Sequence, residues 1–233
     1  MHIIITRPIE DSLFIIERLK KLGHIITHLP VIKIEGLKTK KINFQNYKAV
    51  IFTSPNAIKF LNVDKFNPKI KCYCVGKSTE FTARQAGFIN TSSSEGTVDS
   101  LIELIIRSFE NKSGKLLYLS SEFISKELDT DLIKAGFMVD RVSNYTSLPV
   151  EEIDKNTLDF LNKNLPDVIF VYSSRSAKNL FNLLNKYSLL NVVTQTNLMC
   201  ISEKVLLALK HIKWKKVFIF NPGEEEFLLN KIR

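Results

Sequence analysis

Ala49-Val50-Ile51 runs into Phe52-Thr53-Ser54-Pro55-Asn56-Ala57, and Val168-Ile169-Phe170-Val171 runs into Tyr172-Ser173-Ser174-Arg175-Ser176-Ala177. Each is an apolar strand, then a turn of small hydroxyl residues, then a stretch with helical spacing. The copies stand at positions 52 and 172, an offset of 120. Leu119-Ser120-Ser121 and the stretch to Gly136 echo Ile5-Thr6-Arg7 and the stretch to Gly23 in the same way. More faintly, Cys74-Val75-Gly76-Lys77 is echoed by Cys200-Ile201-Ser202-Glu203. Any two β–α units look alike, so one match decides little. Three in nearly parallel spacing indicate two diverged copies, and a period this long means domains rather than a solenoid. A helix that starts on Ser, Thr or Asn has backbone N–H groups free to hold an anion. Two similar lobes sharing an anionic ligand are therefore expected.

Outward from these turns, strand signals alternate with helical periodicity along the chain, the helical stretches including Ser125–Ala135 and, last, Glu224–Ile232. Gly23, Gly87 and Gly136 fall just past helical runs, where a positive φ is wanted. The expected class is α/β, two similar lobes, each a parallel sheet flanked by helices. Val31–Glu35 and Arg141–Thr146 read as extended strands on either side of a complete duplicate unit. The simplest division inserts one lobe in the other: 1–34 with 148–233, then 37–145, with 31–36 and 141–149 as a two-stranded connector.

Composition narrows the partners. The 233 residues are 45% hydrophobic and 24% charged, an ordinary globular balance. The net charge of +9 is mostly lysine spread thinly over loops, which favours an anionic small molecule. A nucleic-acid binder is not expected, because no basic stripe is interleaved with stacking aromatics. Cys72, Cys74 and Cys200 lie in apolar strand-like runs and match no zinc spacing, so buried free thiols in a reducing compartment are expected. The apolar opening Met1–Ile5 is too short for a signal sequence, and no run reaches membrane-spanning length. A cytoplasmic protein, away from membranes, is the expectation.

Several motifs fail on inspection. Gly76-Lys77-Ser78-Thr79 imitates the end of a phosphate loop, but the required earlier glycine is Lys71. No dinucleotide fingerprint follows the first strand, and no nucleophile elbow is present. His2, His24, His28 and His211 stand singly, with His24 and His28 read as surface residues beside a strand.

The turn residues, taken in order, are more telling. Thr6-Arg7-Pro8, Phe52–Ala57, Val75–Thr79 with Ala83 and Gly87, Gly114–Ser120 with Leu128, Leu132 and Gly136, Val142–Tyr145 and Ser173–Ala177 together resemble the uroporphyrinogen-III synthase family. The resemblance covers nearly the whole chain. It implies two α/β lobes on a two-stranded connector with the active site between them. The implied reaction closes hydroxymethylbilane into uroporphyrinogen III with inversion of the last pyrrole ring, without metal or organic cofactor. The implied partners are that eight-carboxylate substrate and, as a candidate, the upstream hydroxymethylbilane synthase; a monomer is expected.

By the same resemblance Tyr145 is the cleft tyrosine and candidate general acid, a phenol being protonated at neutral pH without tuning. Candidate substrate-binding groups are Arg7, Thr53, Ser54, Pro55, Asn56, Gly76, Lys77, Ser78, Thr79, Ser120, Ser121, Ser173, Ser174, Arg175 and Ser176. Each serine or threonine also has a plain alternative as a helix cap, worth about 1 kcal/mol. Ser202-Glu203-Lys204-Val205 departs from the family's glycine turn and is left out, since Glu203 repels carboxylates. The competing reading is a non-catalytic two-lobed binding protein for an anionic small molecule.

Overall fold

The structure, a computed structural model, describes residues 1–109, 114–221 and 223–229. The chain opens with β1 (His2–Ile5), α1 (Leu13–Lys21) and β2 (Ile25–His28), then β3 (Ile32–Gly36). Next come β4 (Ile42–Asn43), β5 (Ala49–Phe52), α2 (Pro55–Lys59), β6 (Val63–Lys65), β7 (Lys71–Cys74), α3 (Gly76–Gln85), β8 (Thr91–Ser93) and α4 (Val98–Ser108). β9 (Lys115–Ser121), α5 (Leu128–Lys134) and the long β10 (Met138–Pro149) follow. The last stretch holds α6 (Lys155–Lys163), β11 (Val168–Val171), α7 (Ser174–Lys186), β12 (Asn197–Cys200), α8 (Glu203–Ala208), β13 (Lys216–Ile219) and α9 (Glu225–Leu229). The helical spacing read over 224–232 runs past α9, and its residues 230–232 lie outside the described residues.

Contacts divide the chain into two compact units, Met1–Lys33 with Leu148–Arg233, and Ile34–Ser147. The first unit is a five-stranded sheet in the order β13-β12-β11-β1-β2, parallel throughout. The second has the order β3-β10-β9-β5-β7-β8, parallel from β10 to β8, with β4 and β6 as a separate small pair. β3 lies at its edge beside β10, where Leu37 N–H donates to Asn144 O and Val150 N–H to Val31 O. Strands β1, β5, β11 and β12 are buried at every residue, the mark of a parallel sheet covered on both faces.

Without the β3 edge, the two sheets have one topology. β11-α7-β12-α8-β13 corresponds to β5-α2-β7-α3-β8, and β1-α1-β2 to β9-α5-β10. The covering layers correspond too: α7 and α8 pack on one face of the first sheet with α1 and α9 on the other. In the second, α2 and α3 take one face and α4 and α5 the other. The echoes at Thr53/Ser173, Gly76/Ser202 and Ser120/Thr6 fall at matching strand ends. Because the pieces match crosswise, each sheet draws strands from both copies of the repeat: β1 and β2 join β11 to β13, while β5, β7 and β8 join β9 and β10.

Some local readings change. α5 begins at Leu128 rather than Ser125. β8 and the β4–β6 pair carry no apolar pattern that marks them as strands in the sequence. His24 is buried at 9% exposure, with its Nδ1 3.4 Å from the N-terminal amine, so its surface reading is corrected. Cys72, Cys74 and Cys200 are buried and unbridged.

Candidate active site

In an open α/β sheet the ligand crevice lies past the carboxyl ends of the strands, where the winding direction reverses. In the second unit that reversal falls between β5 and β9. A cavity of about 170 Å³ opens there, lined by Thr53, Val98, Tyr118, Ser121, Phe123, Ile124, Ser125, Lys126 and Tyr145. Thr53, Ser121 and Tyr145, named from the sequence, thus meet in one place. Tyr118 and Lys126 were missed.

β10 is irregular just before Tyr145. Ser143 pairs with Ser120 and Tyr145 with Ser121, so Asn144 is an extra residue in the ladder. Val142 and Tyr145 then pack in the same hydrophobic cluster, although three residues apart in a regular strand they would face opposite ways. The bulge is held by Asn144, fully buried, whose Nδ2 donates to the carbonyls of Ala57 at 2.7 Å and Phe60 at 3.1 Å. Those carbonyls belong to the last turn of α2, so the strand residue closes a helix end. The Tyr145 ring is 7% exposed and stacks on Phe60 at 6.5 Å.

Tyr118 comes from the other face of the sheet, its ring in the cluster under α4 and α5. Its hydroxyl lies 3.2 Å from Thr53 Oγ1. Burial pushes its pKa up, while the Thr53 hydrogen bond and the Arg141 guanidinium pull the other way. Arg141, the register partner of Tyr118, donates from Nε to Ser120 Oγ at 3.0 Å and from Nη2 to Ser121 O at 3.2 Å. The Ser120 side chain is thereby committed to shaping the turn. Glu122 continues it, its N–H donating to Tyr145 O at 2.9 Å and its Oε2 accepting from Thr146 at 2.7 Å. Lys126 is tied to Asp99 and, at 3.7 Å, to Asp131.

The other candidates divide by what their side chains do. Ser54 caps α2 by accepting from Asn56 N–H at 3.2 Å, with Pro55 at the start of the helix. Gly76 opens α3 at φ +70°, and a Cβ there would sit 3.3 Å from Gly96 Cα, so glycine is needed both for the backbone angle and for the close approach. Lys77 and Ser78 are exposed, and Thr79 is buried at 3% exposure. Lys77 pairs at 3.2 Å with Glu80, a carboxylate that also accepts from Arg84, Thr91 and Ser93. The Ser93 and Arg84 hydrogen bonds lead in holding its pKa down to about 2.

In the first unit, Ser173 caps α7 by accepting from Ser176 N–H at 3.0 Å, and Ser176 is buried. Ser174 and Arg175 are half-buried in the first turn. Arg7 lies over the Tyr172 ring at 4.7 Å, beside a cavity of about 200 Å³ between α1 and the segment that leads into α9. That cavity also carries Arg18, Asp11, Glu225 and Glu226, so its charges largely offset one another. Ser202 caps α8 at 3.4 Å.

Arg141 had a signal in the sequence, a charged pair Asp140-Arg141 set between Val139 and Val142. Tyr118 had none beyond preceding the Leu119-Ser120-Ser121 turn. Among the described residues no three His, Cys, Asp or Glu side chains converge as a metal site requires. None of the described helices is long and apolar enough to cross a membrane.

Among solved structures, the fold matches uroporphyrinogen-III synthetase from Helicobacter pylori 26695 with a TM-score of 0.66 at 17% identity, covering 100% of this chain and 99% of that one. A mutant uroporphyrinogen III synthase from the extremely thermophilic bacterium Thermus thermophilus matches with a TM-score of 0.54 at 15% identity, covering 99% and 97%. At such identities the likeness is one of fold. No curated protein sequence matches. The family profile described as uroporphyrinogen-III synthase HemD matches residues 14–223, most of the chain. With that match over a two-unit α/β fold, the chain belongs to the uroporphyrinogen-III synthase family.

Proposed function

We propose that this chain catalyses closure of hydroxymethylbilane to uroporphyrinogen III, with Tyr145 as general acid. The observation that carries the assignment of Tyr145 is that it lines the cavity at the β5–β9 reversal together with Thr53 and Ser121. The Tyr145 phenol gives its proton to the departing hydroxyl, water leaves, and the pyrrole nitrogen stabilises the resulting azafulvene. The substituted carbon of the last ring then attacks, giving a spiro intermediate whose reopening and reclosure inverts that ring. Rearomatisation releases one proton, which returns to the phenolate. General-acid help of this kind contributes about 10²–10⁴ in rate, and the rest is geometry: attack must be held at the substituted carbon.

The carboxylates of the substrate are to be met by backbone N–H groups at the start of α3, Gly76–Thr79, since the Asn56 and Ser176 N–H groups are taken by Ser54 and Ser173. The net charge of +9 supports an octaanionic ligand. We place the protein in the cytoplasm as a monomer that receives its substrate from hydroxymethylbilane synthase. The non-catalytic binding reading has no observation in its favour beyond the Ser202 turn, whose hydroxyl caps α8.

The test is to generate hydroxymethylbilane in situ, add the protein, oxidise the products and separate the type I and type III uroporphyrins. Predominant type III supports the assignment. Type I alone, with folded protein, refutes it and leaves the binding module.

A further inference from the structure

The cavity contains a hydroxyl pair that the general-acid step does not use, Tyr118 Oη and Thr53 Oγ1 at 3.2 Å. Tyr118 is 2% exposed with its ring in the core under α4 and α5, a place a phenylalanine ring would fill equally well. The hydroxyl therefore needs its own explanation. When two hydroxyls meet, one O–H is spent between them and the other keeps its proton for a third group. Either hydroxyl can donate in this pair; a phenol is the more acidic and the better donor, which favours the arrangement in which Tyr118 donates and Thr53 retains its proton. In that arrangement the Thr53 O–H is left for a partner in the space that Thr53 and Tyr118 line, which Tyr145 enters from the opposite face of the sheet.

We propose that Tyr118 is a positioning residue that fixes the Thr53 hydroxyl as a hydrogen-bond donor to the substrate's leaving hydroxyl, beside Tyr145. The inference rests on the synthase reading. It reassigns Thr53 from a carboxylate ligand to a group at the reacting oxygen, and it assigns Tyr118 a role in the reaction.

The experiment compares Tyr118→Phe, Thr53→Val, Thr53→Ser and the double variant Tyr118→Phe/Thr53→Val by kcat, KM, the type III to type I ratio and the thermal midpoint. Losing one oriented hydrogen bond lowers kcat by about tenfold, with KM held within about twofold. The double variant is expected to be no slower than Thr53→Val alone, and Thr53→Ser to recover most of the loss. Additive losses, or a wild-type kcat in Tyr118→Phe, overturn the proposal. Should Tyr118→Phe fail to fold, the two Thr53 variants decide it: equal kcat for valine and serine refutes a donor role. Wild-type protein that yields only type I refutes the synthase reading and this inference together. Type III from wild type with unchanged kcat in Tyr118→Phe refutes the inference alone.

Discussion

Asn144→Ala removes one side-chain amide and so tests the structural basis of the site. Its Nδ2 satisfies two carbonyls at the end of α2, at 2.7 and 3.1 Å, from a fully buried position. Each such bond contributes about 1 kcal/mol net, and a carbonyl left buried without a partner costs a further 1–3 kcal/mol or so. Partial access of water to the helix end brings the expected total to about 2–4 kcal/mol. For a chain of this length that is a fall of about 5–15 °C in the thermal midpoint. The change acts on chemistry as well. Without its anchor β10 can pair regularly, which turns Tyr145 from the Phe60 face toward that of Tyr118 and displaces its phenol from the position it holds here. Turnover should then fall as far as in Tyr145→Phe, although Tyr145 itself is untouched. Asn144→Asp goes further in stability, because a carboxylate would face two carbonyls. Its penalty grows as pH rises above the ordinary carboxylate range near 4 and eases below it, where a protonated carboxyl can again donate. The assays are urea and thermal unfolding by circular dichroism, hydrogen exchange over residues 55–61, and the isomer assay. A stability change under about 0.5 kcal/mol with wild-type turnover would falsify the view that Asn144 holds the bulge.

Three further outcomes are expected. Tyr145→Phe lowers kcat by about 10²–10⁴ while the unfolding midpoint holds, and an unchanged rate removes the phenol from the mechanism. Glu80 has its folded pKa depressed from 4.5 to about 2, so the stability it contributes is present above pH 4.5 and lost as pH falls toward 2. Allowing for solvent screening this amounts to about 1–3 kcal/mol; Glu80→Gln should flatten that acid limb of the stability curve, and an unaltered limb counts against the assignment. Gly76→Ala meets both the φ of +70° and the 3.3 Å approach to Gly96, and should cost about 1–2 kcal/mol in urea unfolding.

The class of fold was legible because buried parallel strands are unbroken apolar runs, as in Ile3-Ile4-Ile5 and Val168–Val171, and because the turns after them repeat. What the local pattern could not give was structure imposed from elsewhere in the fold. Thr91-Ser92-Ser93 becomes a strand because it pairs with β7 and hydrogen-bonds to Glu80, neither of which shows in its own residues. Tyr145 was named through the family resemblance. Alternation along its own strand puts it on the Tyr118 face rather than the Phe60 face it occupies, since the extra residue at Asn144 is justified only by the end of a helix more than eighty positions earlier. Arg141 and Tyr118 shape the cavity through register partners, which a single strand does not reveal.

The crosswise assembly of the two sheets sets a timetable for the chain as it is made. The second unit is encoded without interruption from Ile34 to Ser147 and can close as soon as it emerges. The first unit begins earlier and finishes last: β1 and β2 are complete at His28, yet the neighbour β1 needs, β11, starts only at Val168. At 5–20 residues per second that gap lasts on the order of ten seconds. Throughout it the strand edge of His2–Ile5, which is buried at every residue in the finished protein, has no β11 to cover it. The N-terminal strand–helix–strand piece thus waits unpaired on one side during synthesis, and the ribosome-bound chain should offer it to chaperones that hold apolar strands until β11 emerges.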